Sequence, residues 1–173
     1  MMTETDLIVY RGDITLLHVD AVVNAANSGL AGGGGVDGAI HRAAGPELLQ
    51  ACRKLGGCPT GQVKMTPAFK LPAKAVLHAV GPVWQGGLHQ EAELLASCYR
   101  HSMRIVTEQR FVSVAFPAIS CGVYGYPLSQ AVDIAVREVK KGLAANPQLQ
   151  QVIFCCFDEV AEALYQTALN ESS

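Results

Sequence analysis

Two asparagines, four glycines in a row, an aspartate and a histidine crowd into residues 24–45, which read NAANSGLAGGGGVDGAIHRAAG. Amide, carboxylate and imidazole groups can hold and polarise a water. Consecutive glycines lose much conformational freedom on ordering, so Gly32, Gly33, Gly34 and Gly35 belong where backbone takes unusual dihedrals or passes very close to something. The best candidate for that something is a ligand. Asp37 is the only carboxylate between Asp20 and Glu47, so a carboxylate acting from this stretch must be Asp37. His41 follows four residues later and shares its helical face, where it could tune Asp37 or serve as an acid. A second glycine-bearing loop, Ser120-Cys121-Gly122-Val123-Tyr124-Gly125, also precedes a helical pattern. Successive amides and helix N-termini favour anions, and two such loops across a crevice suit a diphosphate, hence a nucleotide derivative.

Loops need a frame. Apolar runs predict strands at 7–10, 21–24, 63–69, 75–80, 111–116 and 151–157, and helical spacing predicts helices at 36–44, 46–56, 91–109 and 159–169. A further helix starts at the candidate cap Ser129 and stops near Asn146-Pro147. Strands alternating with helices imply a largely parallel sheet covered on both faces. Ligands of such sheets sit at the carboxyl ends of the strands, which turns residues 12–15, 24–37, 118–127 and 157–158 toward one crevice. With no repeat, linker or low-complexity segment, residues 1–173 read as a single domain.

Several classes drop out. No GxxxxGK[ST] phosphate loop occurs. Gly33-x-Gly35-x-x-Gly38 fits the dinucleotide pattern formally, but its glycines lie well past the strand, and the acid expected about twenty residues on falls between Leu48 and Gln90, where there is no Asp or Glu. A chain that is 50% hydrophobic and 16% charged argues against disorder, and a net charge of −2 gives no general pull toward nucleic acid or membrane. Arg53, Lys54, Lys64, Lys70 and Lys74 leave a local cationic face open, and with it a nucleic-acid partner. The six cysteines show neither CxxC nor zinc spacing and read as reduced thiols of a cytoplasmic protein without a metal site. No basic-then-apolar leader opens the chain, and no segment reaches the roughly 20 apolar residues of a membrane span.

NAAN with GGGGVDGAIHRAAG, preceded by GDIT and followed by HAVGPVW and FPAISCGVYGYP, resembles the macrodomains of the MacroD type. The likeness is strongest to bacterial members described as O-acetyl-ADP-ribose deacetylases and as regulators of ribonuclease III. It implies a three-layer α/β/α sandwich with a mixed, mostly parallel sheet, binding ADP-ribose without a cofactor. Carried over by motif, Asp13 accepts from the adenine amino group with Ile14 beside it, and Phe157 stacks on adenine. The amides of Gly32, Gly33, Gly34, Gly35 and Val36, and of Ser120, Cys121, Gly122, Val123 and Tyr124, cradle the diphosphate, with Tyr124 against the distal ribose. Asp37 orients or activates the attacking water, Asn27 holds that water and the ribose hydroxyls, and Asn24 braces the loop.

The implied reaction is hydrolysis of an ester on the distal ribose, either in O-acetyl-ADP-ribose or in a mono-ADP-ribosylated protein. Two other classes stand beside it, a reader of ADP-ribose that does not turn it over and a regulator acting on ribonuclease III or RNA. Relatives commonly carry threonine where Cys121 stands, and Gly29 and Ala31 are smaller than usual. Cys121 as a nucleophile ranks far below Asp37, because nearby phosphates would raise its pKa.

Overall fold

A computed structural model describes residues 4–171. Its strands are β1 (Asp6–Arg11), β2 (Ala21–Ala26), β3 (Val63–Pro67), β4 (Ala75–Val80), β5 (Ser113–Phe116) and β6 (Gln151–Cys156). Its helices are α1 (Gly35–Ala44), α2 (Pro46–Leu55), α3 (Glu91–Gln109), α4 (Leu128–Gly142) and α5 (Glu159–Glu171), with a 3-10 turn at Ile14–Leu16. The six strands form one sheet in the order β1-β6-β5-β2-β4-β3, and every neighbouring pair is parallel except β3 with β4.

Side chains alternate across this sheet as the two-residue strand period demands. Val23, Leu77, Val114, Phe116, Val152 and Phe154 join Leu95, Tyr99, Val132 and Tyr165 of α3, α4 and α5 in one core. Val22, Val76, Ala115 and Ile153 join Ile40, Ala44, Leu48 and Cys52 of α1 and α2 in the other. The result is a mixed and mostly parallel sheet between two helical layers, the three-layer sandwich the resemblance implied. The same alternation turns Asn24 and His78, two residues after Val22 and Val76, into the α1–α2 layer, and the β2–β4 register sets them side by side.

Boundaries differ where a side chain or a proline overrides the pattern. Ser129 does not cap α4: Pro127 holds φ −58° and its carbonyl accepts from Ala131, so the helix is already under way at Leu128. The same helix stops at Gly142 because Asn146 Nδ2 donates to the Gly142 carbonyl at 2.9 Å. Gly45 serves α1 and α2 together, taking φ 92° after the first and standing before Pro46 in the first turn of the second. Among the described residues no helix is long and apolar enough to cross a membrane.

Rings tie the larger core together. Tyr99 and Phe116 have centroids 5.2 Å apart, Phe116 and Phe154 6.3 Å, and Phe154 and Tyr165 5.2 Å, linking α3, β5, β6 and α5. Phe154 touches two of these rings and is fully buried, so Phe154→Ala is expected to lower stability by about 3–5 kcal/mol. Urea unfolding should show this as a lower midpoint at constant slope.

Candidate functional site

The carboxyl ends of β2, β4, β5 and β6 open into a crevice of about 480 Å³, well within the range of small-molecule sites. Of the residues singled out from sequence, Asn27, Gly33, Gly34, Gly35, Val36, Asp37, Ser120, Cys121, Gly122, Val123, Tyr124 and Phe157 line it. Asp13, Ile14, Asn24, Gly32 and His41 do not. Three of the four expected loops therefore meet. The fourth, residues 12–15, lies behind Cys155, whose thiol donates to the Gly12 carbonyl. There Asp13 Oδ1 caps the 3-10 turn by accepting from Thr15 N at 2.9 Å and Thr15 Oγ1 at 2.7 Å, bonds that lower its pKa against a smaller effect of burial. Ile14 is core.

The glycine run divides by position. Gly32 and Gly35 take positive φ, 81° and 58°. Gly33 is a matter of space, since a Cβ there would stand 3.3 Å from Asp37 Oδ2 and 3.7 Å from Asn27 Nδ2. Carboxylate and amide thus converge on one spot beside bare backbone. The amides of Gly33, Gly34, Gly35 and Val36 and of Gly122, Val123 and Tyr124 have no acceptor among the described residues. Among the described residues no Lys or Arg lines the crevice, so what favours an anion there is these amides and the N-terminus of α1, beside the carboxylates of Asp37 and Asp158.

Asp37 is asymmetric. Its Oδ1 accepts from Asn24 Nδ2 at 2.9 Å and lies 3.3 Å from His41 Nε2, while Oδ2 points toward Gly33 and the crevice. Asn24 therefore holds Asp37, and the bracing expected of it falls to Asn27, whose Nδ2 donates to the Gly32 carbonyl and whose Oδ1 accepts from Ala31 N. Behind Asn24 lies His78, 1% exposed, with Nδ1 at 3.2 Å from Asn24 Nδ2 and Nε2 at 3.0 Å from Thr66 Oγ1. Burial, helped by His41, pushes the His78 imidazole down to about 4.

Sequence reasoning missed the wall opposite. Gly81 lines the crevice because a Cβ there would fall 2.1 Å from Ser120 Oγ and 2.7 Å from Ile119 Cγ2. Ser120 itself takes φ 68°, a strain of order 1–3 kcal/mol of the kind that clusters at functional sites. Trp84 N donates to the Tyr124 carbonyl at 2.8 Å, and Glu91, buried, accepts from the amides of Gln85, Gly87 and His89. Burial raises the Glu91 carboxyl and these amides more than reverse that, bringing it down to about 2. The signal was on view as Gly81-Pro82 after a strand, but its partner lies in a distant loop. Burial pushes Cys121 up to about 11, which disfavours its thiolate. Of the basic stretch, Lys64 donates to the Leu55 and Gly57 carbonyls and Lys74 pairs with Asp20, leaving less free charge than the sequence suggested.

Fold and crevice together define an α/β protein whose crevice, at the carboxyl ends of its strands, is lined by backbone amides with a carboxylate beside them. The Macro domain model matches residues 23–135, and the chain belongs to that family. A macro domain-containing protein of Chlorobaculum tepidum is 58% identical, covering 92% of each chain. A Salmonella typhimurium protein named O-acetyl-ADP-ribose deacetylase is 56% identical over 94% of this chain and 93% of its own. Among solved structures, the Oceanobacillus iheyensis macrodomain with ADP superposes with TM-score 0.93 at 41% identity, covering 99% of this chain and 94% of that one. The Trypanosoma brucei macrodomain in complex with ADP-ribose does so with TM-score 0.89 at 43% identity, covering 94% and 68%.

The buried imidazole sets an acid response. Between pH 6.5 and about 4 the unfolded chain takes up a proton that folded His78 refuses, so this contribution is complete above 6.5 and is lost on acidification through that window. Stability should fall there by up to about 1.4 kcal/mol per pH unit. Urea midpoints at half-unit steps should show the decline, and His78→Leu should flatten it.

Proposed function

We propose that this chain binds ADP-ribose and hydrolyses an ester on its distal ribose, with Asp37 acting on the attacking water. The observation that carries the reading is the convergence of Asp37 Oδ2 and Asn27 on the Gly33 backbone, between two rows of amides that have no acceptor among the described residues. Diphosphate oxygens accept from Gly33, Gly34, Gly35 and Val36 on one side and from Gly122, Val123 and Tyr124 on the other. Adenine lies against Phe157, exposed at the crevice edge, and the distal ribose lies by Tyr124 and Asn27. Relatives named as deacetylases, and a macrodomain structure holding ADP-ribose, support the same ligand and bond.

The chemistry needs little more. Water between Asp37 Oδ2 and Asn27 attacks the ester carbonyl while its proton passes to the carboxylate. The tetrahedral adduct then expels the ribose oxygen, which takes a proton and leaves as the hydroxyl of ADP-ribose, with acetate or a protein carboxylate as the other product. Asn24 and His41 occupy Oδ1, so Oδ2 keeps its lone pairs for water. Remote binding of adenine and diphosphate supplies the orientation.

The test is ADP-ribose release from O-acetyl-ADP-ribose and from glutamate-ADP-ribosylated protein by the native chain and by Asp37→Ala. Loss of 10²- to 10⁴-fold is expected if Asp37 is the base, and a smaller loss if it only positions water. Equal rates remove Asp37 from the mechanism. Micromolar binding without turnover identifies a reader instead. Phe157→Ala should weaken ADP-ribose binding about 5- to 150-fold, the range that a lost base-stacking contact of about 1–3 kcal/mol implies, with calorimetry as the measure.

A further inference from the structure

The proposed hydrolase leaves one buried group unused. His78 sits in the α1–α2 layer, level with Asn24 across the β2–β4 pair and beside Thr66 of β3, two strands away from β2 and under Cys52 of α2. Histidine is an uncommon residue to bury to 1% exposure, and no step of the chemistry touches it. Its contacts nevertheless form a line from the sheet edge to Asp37, and one assignment of hydrogens satisfies that line from Thr66 through to the carboxylate.

Thr66 Oγ1 has a single proton and lies 3.0 Å from the Pro67 carbonyl, which can only accept. With that proton given to Pro67, Thr66 must accept from His78, so Nε2 carries the ring hydrogen. Nδ1 is then bare. It accepts one hydrogen of Asn24 Nδ2, and the other goes to Asp37 Oδ1 at 2.9 Å. Asn24 Oδ1 is left buried with no partner, a cost the site carries to keep the nitrogen forward. Were the ring hydrogen on Nδ1, the Asn24 amide would do better reversed, and its oxygen would face the carboxylate. The tautomer of a histidine on β4 thereby decides whether Asp37 meets a donor or a second acceptor.

We propose that His78 is a positioning residue for Asp37: fixed by Thr66 as the Nε2–H tautomer, it orients the Asn24 amide so that Oδ1 is held and Oδ2 alone faces the water. This rests on the hydrolase reading for its consequence in rate, and on the hydrogen-bond line alone for its consequence in structure. The two parts are separable by experiment.

Nitrogen-15 spectra of labelled histidine should show His78 with a protonated Nε2 and a bare Nδ1 at pH 7, and Thr66→Val should release that preference toward a mixture. An Nδ1–H ring in the native chain, or an unchanged ring in Thr66→Val, overturns the proposal whether or not the chain is an enzyme. In turnover, His78→Leu should lower kcat about tenfold, equivalent to about 1.4 kcal/mol, with KM and ADP-ribose affinity within twofold. His78→Asn, whose amide oxygen can stand where Nδ1 stood, should recover most of the loss. An unchanged kcat in folded His78→Leu, or failure of folded His78→Asn to recover, also overturns it. If His78→Leu does not fold, the Thr66→Val pair of ring spectrum and kcat decides. Absence of turnover by the native chain removes the hydrolase reading and leaves the spectra to judge the hydrogen-bond line.

Discussion

A hydrogen bond of 2.9 Å from Asn24 to Asp37 joins the central strand β2 to the first turn of α1, and the loop between them is shaped by that joint. Glycines would otherwise let the connection wander. With both ends pinned, Asn27 folds back on Gly32 and Ala31, Gly33 passes beneath the carboxylate, and the first amides of α1 turn outward. Buried side chains at 0% and 6% exposure make this a low-dielectric bond, strong when made and costly when broken. The sheet supports it from below, because only a parallel β2–β4 register brings His78 level with Asn24.

Much of this frame was legible in the chain. Helix bounds at 91–109 and the strand at 75–80 were read to the residue, since long amphipathic periodicity and a Gly-Pro stop leave little freedom. The glycine loop announced itself by composition, and Asp37 by being the only acid near it. Placing both at the carboxyl ends of parallel strands needed only the general rule for such sheets.

What escaped was pairing between distant segments. Gly81 mattered through Ser120, and Glu91 through the amides of a loop that in turn holds Trp84 against Tyr124. That Asn24 braces Asp37 itself follows from strand alternation, which turns it into the buried layer where the first turn of α1 lies.

Among the described residues the crevice holds no lysine or arginine, and this sets its physics apart from sites built on counter-charges. Oriented amides close to an anion act over a few ångströms and lie inside the distance at which dissolved ions screen, roughly 8 Å at physiological ionic strength. A phosphate seated there would be insensitive to added salt once bound. It would also receive little help in arriving, because neutral dipoles project no long-range field to steer it and the carboxylates of Asp37 and Asp158 line the same crevice. Such a site selects by fit at contact, and its on-rate is left to ordinary diffusion.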